Sequence, residues 1–365
     1  MMDERLLNNE ERAVFPLRAL YEKYGYRPFR VSRFEEYDLY VRNKEFLVSD
    51  RVITFTDRDG RLLALKPDIT LSIIKNTPDR PHSKRKVYYN ETVYRPQGAE
   101  GQFREIMQTG LECIGDLDVI DTFEVVLMAG RSLACISENF VLDISHMGIL
   151  SGVIDECSAD EGFRRAAMGL LSSKSAHGVA ELCSRYGVAE DAAKKLISLA
   201  TLAGEPSAVL AELTNVATTE KERAALAELV TVCELISNTD IADRVRIDFS
   251  VVNDMNYYDG VVFRGFLEGI FEGVLAGGEY GGLLRGMGRS GSAIGFAVYL
   301  DLLENMTVAT DEFDVDVLLV YSAATPAATV AARREEIVSS GRSVASLRTE
   351  ALDACELRYR EMQEV

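Results

Sequence analysis

The chain has 365 residues, 47% of them hydrophobic and 27% charged, which is ample for a packed main domain with one or two smaller ones. Its formal net charge is −18. That balance weighs against a broad nucleic-acid surface, because such binding is driven by basic residues that neutralise phosphates.

Residues 3–24 place Leu6, Ala13, Leu17, Leu20 and Tyr24 at helical spacing, which predicts an amphipathic helix ended near Gly25. Pro16 either kinks this helix or marks its start. Residues 50–57 and 62–66 flank Arg58-Asp59-Gly60, and Asp-Gly suits the positive φ of a tight turn, so a hairpin is expected. The second strand runs on into LALKPDITLSIIKN (63–76). There Asp68 or Thr70 caps a short helix over Leu71–Lys75, and a cap at a helix start can also line a cleft. The dense basic run, RPHSKRK (80–86), reads as a solvated loop before the next strand.

The most informative stretch is 86–115. Val87 to Arg95 is rich in Tyr, Val and Thr and reads as a strand, and Pro96, Gly98 and Gly101 predict a loop. From Gln102 the chain alternates again. One face carries Phe103, Glu105, Met107, Thr109, Leu111 and Cys113; the other carries Arg104, Ile106, Gln108, Gly110 and Glu112. The second face sets a guanidinium, an amide and a carboxylate in one row, with a gap at Gly110. It is either the solvated face of an antiparallel hairpin or a row of donors and acceptors for a small zwitterion.

Phe123–Phe140 predicts a helix with the stripe Val126, Leu127, Leu133 and Ile136. VLDISHMGIL (141–150) predicts a short strand, a polar turn and a helix start, and on these grounds His146 is a structural histidine. Residues 151–239 are rich in Ala, Leu, Lys and Glu at helical spacing, punctuated by Gly187, Gly204-Glu205-Pro206 and 217–221, with no catalytic constellation. Strand alternation resumes at 245–263. VLAGGEYGGLLRG (274–286) holds two glycine pairs that either allow a ligand close to the backbone or form a bulged hairpin corner. A strand at Val315–Tyr321, a helix over 325–339 stopped by Gly341, and a further short strand and helix end the chain. The six cysteines show no metal spacing, and there is no signal-peptide pattern and no apolar run of membrane length. They read as reduced thiols of a cytosolic protein that holds no metal and does not enter a membrane.

Tyr94-Arg95, Arg104-Glu105, Gln108, Gly110, Glu112 and Gly115 together resemble motif 2 of the class II aminoacyl-tRNA synthetases, in their histidyl branch. Residues 24–43, with Gly25-Tyr26, Glu35 and Leu39, resemble motif 1, the dimer interface of that fold, with Ser32 where a proline is usual. Pro67-Asp68 and Thr70 resemble the Arg-Pro-Glu-Gly-Thr segment of histidyl synthetases. This implies that Asp68 receives a substrate α-amino group, with the Thr70 hydroxyl beside it. Asp143, His146 and Gly148 resemble instead the paralogue that regulates histidine biosynthesis. Tyr257-Tyr258 keep the tyrosines of the histidine-specific motif, but Asn253 stands where the synthetases have an arginine for the α-phosphate; losing such a stabiliser raises the barrier to phosphoryl-type chemistry. Tyr280 matches the tyrosine of Gly-Gly-Arg-Tyr-Asp-Gly-Leu, while Glu279 and Gly281 replace its arginine and aspartate. Residues 291–304, with Gly295 and Phe296, resemble motif 3, and Leu302 replaces the arginine that stacks on adenine, a contact leucine cannot make.

The resemblance covers nearly the whole chain in family order. It implies an α+β fold: a class II synthetase-like antiparallel sheet flanked by helices, in two parts (1–150 and 241–310), a helical insertion (151–240), and a truncated α/β C-terminal segment (311–365). That segment is shorter than a typical domain of ~100 residues. The implied ligand is histidine, held by Asp68, Thr70, Arg95, Gln108, Glu112, Tyr257, Tyr258 and Tyr280. With both ATP-handling arginines replaced, the combination resembles the synthetase-like regulatory subunits of ATP phosphoribosyltransferase. These are non-catalytic: they bind and activate the short-form catalytic subunit and pass on feedback inhibition by histidine. The resemblance thus implies no catalytic residue and no cofactor, histidine as effector, a homodimer, and a hetero-oligomer with the catalytic subunit. Two other readings stay open: a divergent histidyl-tRNA synthetase, and a stand-alone amino-acid-binding module with another partner.

Overall fold

The computed structural model describes residues 7–47, 51–80, 82–97, 102–251, 257–305 and 313–365. They fall into two compact units, one within 8–306 and one that takes Leu7 with residues within 307–365.

The larger unit opens on α1 (Asn9–Lys23), started by a capping box between Asn8 and Glu11. The helix begins well before Pro16 and runs through it. After β1 (Arg27–Pro28) come β2 (Phe34–Glu36), α2 (Tyr37–Arg42), β3 (Thr54–Thr56) and β4 (Leu62–Leu65). The last three strands make a small antiparallel sheet in the order β2-β4-β3. Its Asp-Gly turn is the expected one: Gly60 has φ +82°, and the Asp57 carboxylate accepts from the amides of Asp59 and Arg61. Next are α3 (Thr70–Lys75) and the long antiparallel hairpin of β5 (Lys84–Gln97) and β6 (Gln102–Gly115). The ladder continues through Pro96 and Gln97, where a loop was expected; Gly98 and Gly101 lie outside the described residues.

Helix α4 spans Val119–Ile136, four residues earlier at each end than its apolar stripe suggested, because Asp118 and Asp121 form a capping box at its start. No polar turn separates β7 (Phe140–His146) from α5 (Met147–Cys157); His146 itself is the N-cap. The helical stretch continues as α6 (Glu161–Ser172), α7 (Ala176–Tyr186), α8 (Glu190–Leu199), the two-residue β8 (Ala203–Gly204), α9 (Pro206–Val216) and α10 (Glu220–Ile236). Then β9 (Val245–Asp248), β10 (Val261–Leu267), β11 (Leu275–Glu279), α11 (Gly281–Gly286) and β12 (Ser292–Tyr299) complete the unit.

Nine strands form one sheet in the order β1-β5-β6-β12-β11-β10-β7-β9-β8, antiparallel except for β1 with β5 and β7 with β9. The alternation read in β6 is what the sheet uses. Leu111 and Cys113 enter the large core beneath α1, α4 and the insertion helices; Ile106 and Ile114 enter a second core with α3, Tyr40, Phe46 and Leu283. A face expected to meet water on periodicity alone is therefore buried from Ile106 inward.

The smaller unit has β13 (Val315–Tyr321), α12 (Ala327–Ser339), β14 (Val344–Arg348) and β15 (Tyr359–Glu364), in a parallel sheet ordered β14-β13-β15. The helix expected after β14 is a 3-10 turn (Thr349–Ala354). β15 was not foreseen, because its sequence YREMQE is mostly exposed and lacks an apolar row. Val317, Leu319, Val330 and Ile337 form its own core.

Candidate functional site

On the α3 side of the sheet lies a cavity of about 360 Å3, within the range of small-molecule sites. All eight residues assigned from the sequence line it: Asp68, Thr70, Arg95, Gln108, Glu112, Tyr257, Tyr258 and Tyr280.

Asp68 sits at the start of α3 and lines the cavity. Its Oδ1 accepts from the Leu71 amide at 2.9 Å, which starts α3, and its Oδ2 faces the Arg95 guanidinium at 3.6 Å. Arg95 is held by a 2.6 Å hydrogen bond from Nε to the Pro67 carbonyl. Burial pushes the Asp68 carboxyl up, opposed by Arg95 and by backbone hydrogen bonds.

Glu112 is the most constrained group. Thr70 donates its hydroxyl to Oε1 at 2.8 Å, and the Tyr280 phenol donates to Oε2. The residue across the ladder is Gly295, and a Cβ there would lie 1.7 Å from Glu112 Oε2, so the glycine provides the space for the carboxylate. Burial raises the Glu112 carboxyl to about 8, against the lowering effect of the Tyr280 and Thr70 hydrogen bonds; the charge of Asp68 pushes it up further. At neutral pH this group is mostly a neutral acid, able to donate a proton as well as accept. Four residues earlier on the same face, Gln108 is 2% exposed, and its amide nitrogen has no hydrogen-bond partner. A buried donor left unpaired costs about 1–3 kcal/mol, so a ligand acceptor is its natural complement.

The remaining wall is aromatic. Tyr257 packs on Tyr258 with ring centroids 4.6 Å apart and on Tyr280 at 5.6 Å. The gap at Gly110 is not ligand space. A Cβ there would lie 2.1 Å from the Phe296 carbonyl and 2.6 Å from the Tyr89 hydroxyl, so these two groups fill it. Tyr89 is the cross-strand partner of Gly110, and Tyr299 that of Gln108; both line the cavity and were missed in the sequence, as were Phe46 and Leu47. A tyrosine opposite a glycine in the hairpin was a readable signal for Tyr89. Tyr299 depends on a pairing between strands far apart in sequence.

Leu302 is half-buried against the large core. Asn253 lies outside the described residues. The glycine pairs of 274–286 do not make a hairpin corner: Gly277 and Gly278 sit inside β11 between two strands, and Gly281-Gly282 open α11. His146 is on the other face of the sheet. Its Nδ1 accepts from the Gly148 amide at 3.0 Å, which leaves the proton on Nε2, 3.2 Å from Glu228 Oε2. Among the described residues no three His, Cys, Asp or Glu side chains gather as a metal site, and no helix is long and apolar enough to cross a membrane.

The cavity thus offers a carboxylate, a guanidinium, an unpaired amide donor, a neutral buried acid and five tyrosine rings. Such a set suits a small zwitterion with a polar, planar side chain. Comparison with known proteins gives the family and the fold. The family model described as histidyl-tRNA synthetase matches residues 2–303. The ATP phosphoribosyltransferase regulatory subunit of Halothermothrix orenii is 26% identical over 323 residues, 85% of this chain and 77% of that protein. Histidine–tRNA ligases appear among the relatives at similar identity. A Bacillus halodurans structure described as an ATP phosphoribosyltransferase regulatory subunit/histidyl-tRNA synthetase superposes with a TM-score of 0.77 at 23% identity, covering 100% of this chain and 96% of its own. A chain of the Thermotoga maritima ATP phosphoribosyltransferase complex gives 0.63 at 20% identity, covering 82% and 98%. At these identities the two structures establish the fold.

Proposed function

The chain belongs to the histidyl-tRNA synthetase family, and from that premise we propose that it is the non-catalytic regulatory subunit of an ATP phosphoribosyltransferase in histidine biosynthesis. It activates a short-form catalytic subunit and binds histidine as the feedback signal. One observation supports this reading: all eight residues assigned from the sequence line one cavity, with a buried Gln108 amide lacking a partner and Glu112 bonded by Thr70 and Tyr280, while Leu302 stands where the resemblance expects the adenine-stacking arginine. Asn253 at the α-phosphate position adds to it from the sequence. The names of the curated relatives support the same role.

In this reading Asp68 takes the α-ammonium group, Arg95 and Gln108 face the carboxylate end, and Glu112 and Tyr280 meet the imidazole. Tyr257 and Tyr258 cover the ligand. Histidine carries a signal only by binding one state of the complex better than another. The protein works in the cytoplasm as a homodimer joined through its motif 1 region and assembled with the catalytic subunit. The 151–240 insertion and the 311–365 segment are a helical domain and a shortened α/β domain of this architecture.

The test has two steps. Histidine-dependent ATP–pyrophosphate exchange by the purified protein alone should be absent; robust exchange would put a working synthetase first. Reconstitution with a short-form catalytic subunit should then raise its activity and make it histidine-sensitive, and Glu112→Ala or Gln108→Ala should weaken inhibition without preventing assembly. Inhibition curves that overlay wild type would remove the pocket assignment.

A further inference from the structure

Two features singled out in the sequence lie outside the cavity: Glu279, where the synthetase pattern has an arginine, and His146. The sheet brings them into one row. His146 in β7 is the cross-strand partner of Val261 in β10, and the Val261 amide donates to Glu279 Oε2 at 2.8 Å. This row faces the helices, because the next one, Ser145–Val262–Gly278, continues into Gly295 and Glu112 on the cavity side. Thr122 of α4 donates its hydroxyl to Glu279 Oε1 at 2.5 Å. Gly260 leaves room for the carboxylate: a Cβ there would lie 1.7 Å from Oε2. The main chain is tied too, with the Asp259 amide on the Glu279 carbonyl at 3.0 Å and the Met147 amide on the Gly260 carbonyl at 2.8 Å.

These bonds converge on 259–261, the three residues that follow Tyr257 and Tyr258. We propose that Glu279 is a positioning residue of the cavity. From the helix-covered face of the sheet it holds the 259–261 segment, so that the two tyrosines are presented to the ligand on the opposite face. It touches no ligand itself. Burial and the nearby charge of Glu228 push its carboxyl up, while the Thr122 and Val261 hydrogen bonds and His146 oppose them. Its role is that of an acceptor for Val261 and a partner for Thr122, which a neutral amide of the same shape can fill. The inference rests on the histidine reading above only for the identity of the ligand.

The test compares wild type with Glu279→Ala, Glu279→Gln and Gly260→Ala in the 365-residue chain. The readouts are calorimetric titration with histidine and near-UV circular dichroism, whose long-wavelength band comes from tyrosine because the chain has no tryptophan. Glu279→Ala is expected to weaken histidine binding at least tenfold and to reduce the tyrosine signal. Gly260→Ala, which displaces a carboxylate still present, should do the same, and it carries the comparison if Glu279→Ala does not fold. Glu279→Gln should restore both readouts. A folded Glu279→Ala with wild-type affinity and spectrum overturns the proposal, as does a Gln variant as impaired as Ala. If wild type itself binds no histidine, the pocket reading fails, and the spectra alone then decide the positioning role.

Discussion

Glu112 should make this protein lose stability as the pH rises through neutrality. Its ordinary carboxyl value of 4.5 is raised to about 8 in the folded state, with burial as the first cause. The folded chain therefore holds a proton that the unfolded chain has released. By linkage, stability falls as the pH rises from about 4.5, and the loss is complete above about 8. At about 1.4 kcal/mol per pH unit, that interval corresponds to about 5 kcal/mol as an upper bound. Glu112→Gln keeps the shape and can still accept from Thr70, but it cannot ionise. The expected outcome is equal stability of variant and wild type near pH 4.5, with the variant ahead by a few kcal/mol at pH 9. Urea denaturation without histidine at pH 5, 7 and 9 measures this. Asp68 and Glu279 titrate in both proteins, so the difference between the two curves isolates Glu112. Parallel pH dependences would refute the claim that a protonated, desolvated acid sits at the base of the cavity.

Gly295→Ala places a Cβ 1.7 Å from Glu112 Oε2 and 2.5 Å from the Leu111 carbonyl. It should cost about 1–3 kcal/mol as overpacking and abolish histidine binding, read by thermal melting and by calorimetry. Lys66 is fully buried and bonded to Glu91 at 2.6 Å, and Glu91 shares the ladder with Gln108. Lys66→Met should destabilise by about 3–5 kcal/mol by leaving a mostly buried carboxylate without its counter-charge, bonded only by the Val31 amide, and Lys66→Met/Glu91→Leu should recover most of that in urea denaturation at pH 7.

The parts of the site legible in the sequence were those built by neighbours along the chain. Gln108 and Glu112 share a face because strands alternate, and Asp68 bonds the start of α3 because it sits three residues before the Leu71 amide. Both follow from local geometry. Glycine roles were misread for the opposite reason. Gly110 looked like ligand space, yet it is closed by the Phe296 carbonyl from a strand nearly two hundred residues away, while Gly295, noted only as a motif match, is the glycine that makes room for Glu112. Which glycine opens a cavity depends on the register of β6 with β12, and nothing in the periodicity of either strand fixes that register. The early start of α4 had a local signal in Asp118 and Asp121, but the apolar stripe outweighed it. Tyr299 and the Glu279 row had no local signal, since each takes its meaning from three strands at once.

The free cavity is an unfavourable arrangement on its own. It holds a buried Gln108 donor without a hydrogen-bond partner, which a ligand acceptor would satisfy, and an acid that resists ionisation although Thr70 and Tyr280 already bond it. A site of this kind suits a sensor. A net hydrogen bond is worth about 0.5–1.5 kcal/mol, and typical allosteric coupling is about 1–3 kcal/mol. Two contacts, such as those of Gln108 and Glu112, made fully in one state of an assembly and loosely in the other, would cover that range. A shift of less than an ångström in the Tyr257–Val261 segment relative to β6 would suffice to make them unequal. The segment held by Glu279 is therefore where a difference in histidine affinity between two states would arise at least structural expense.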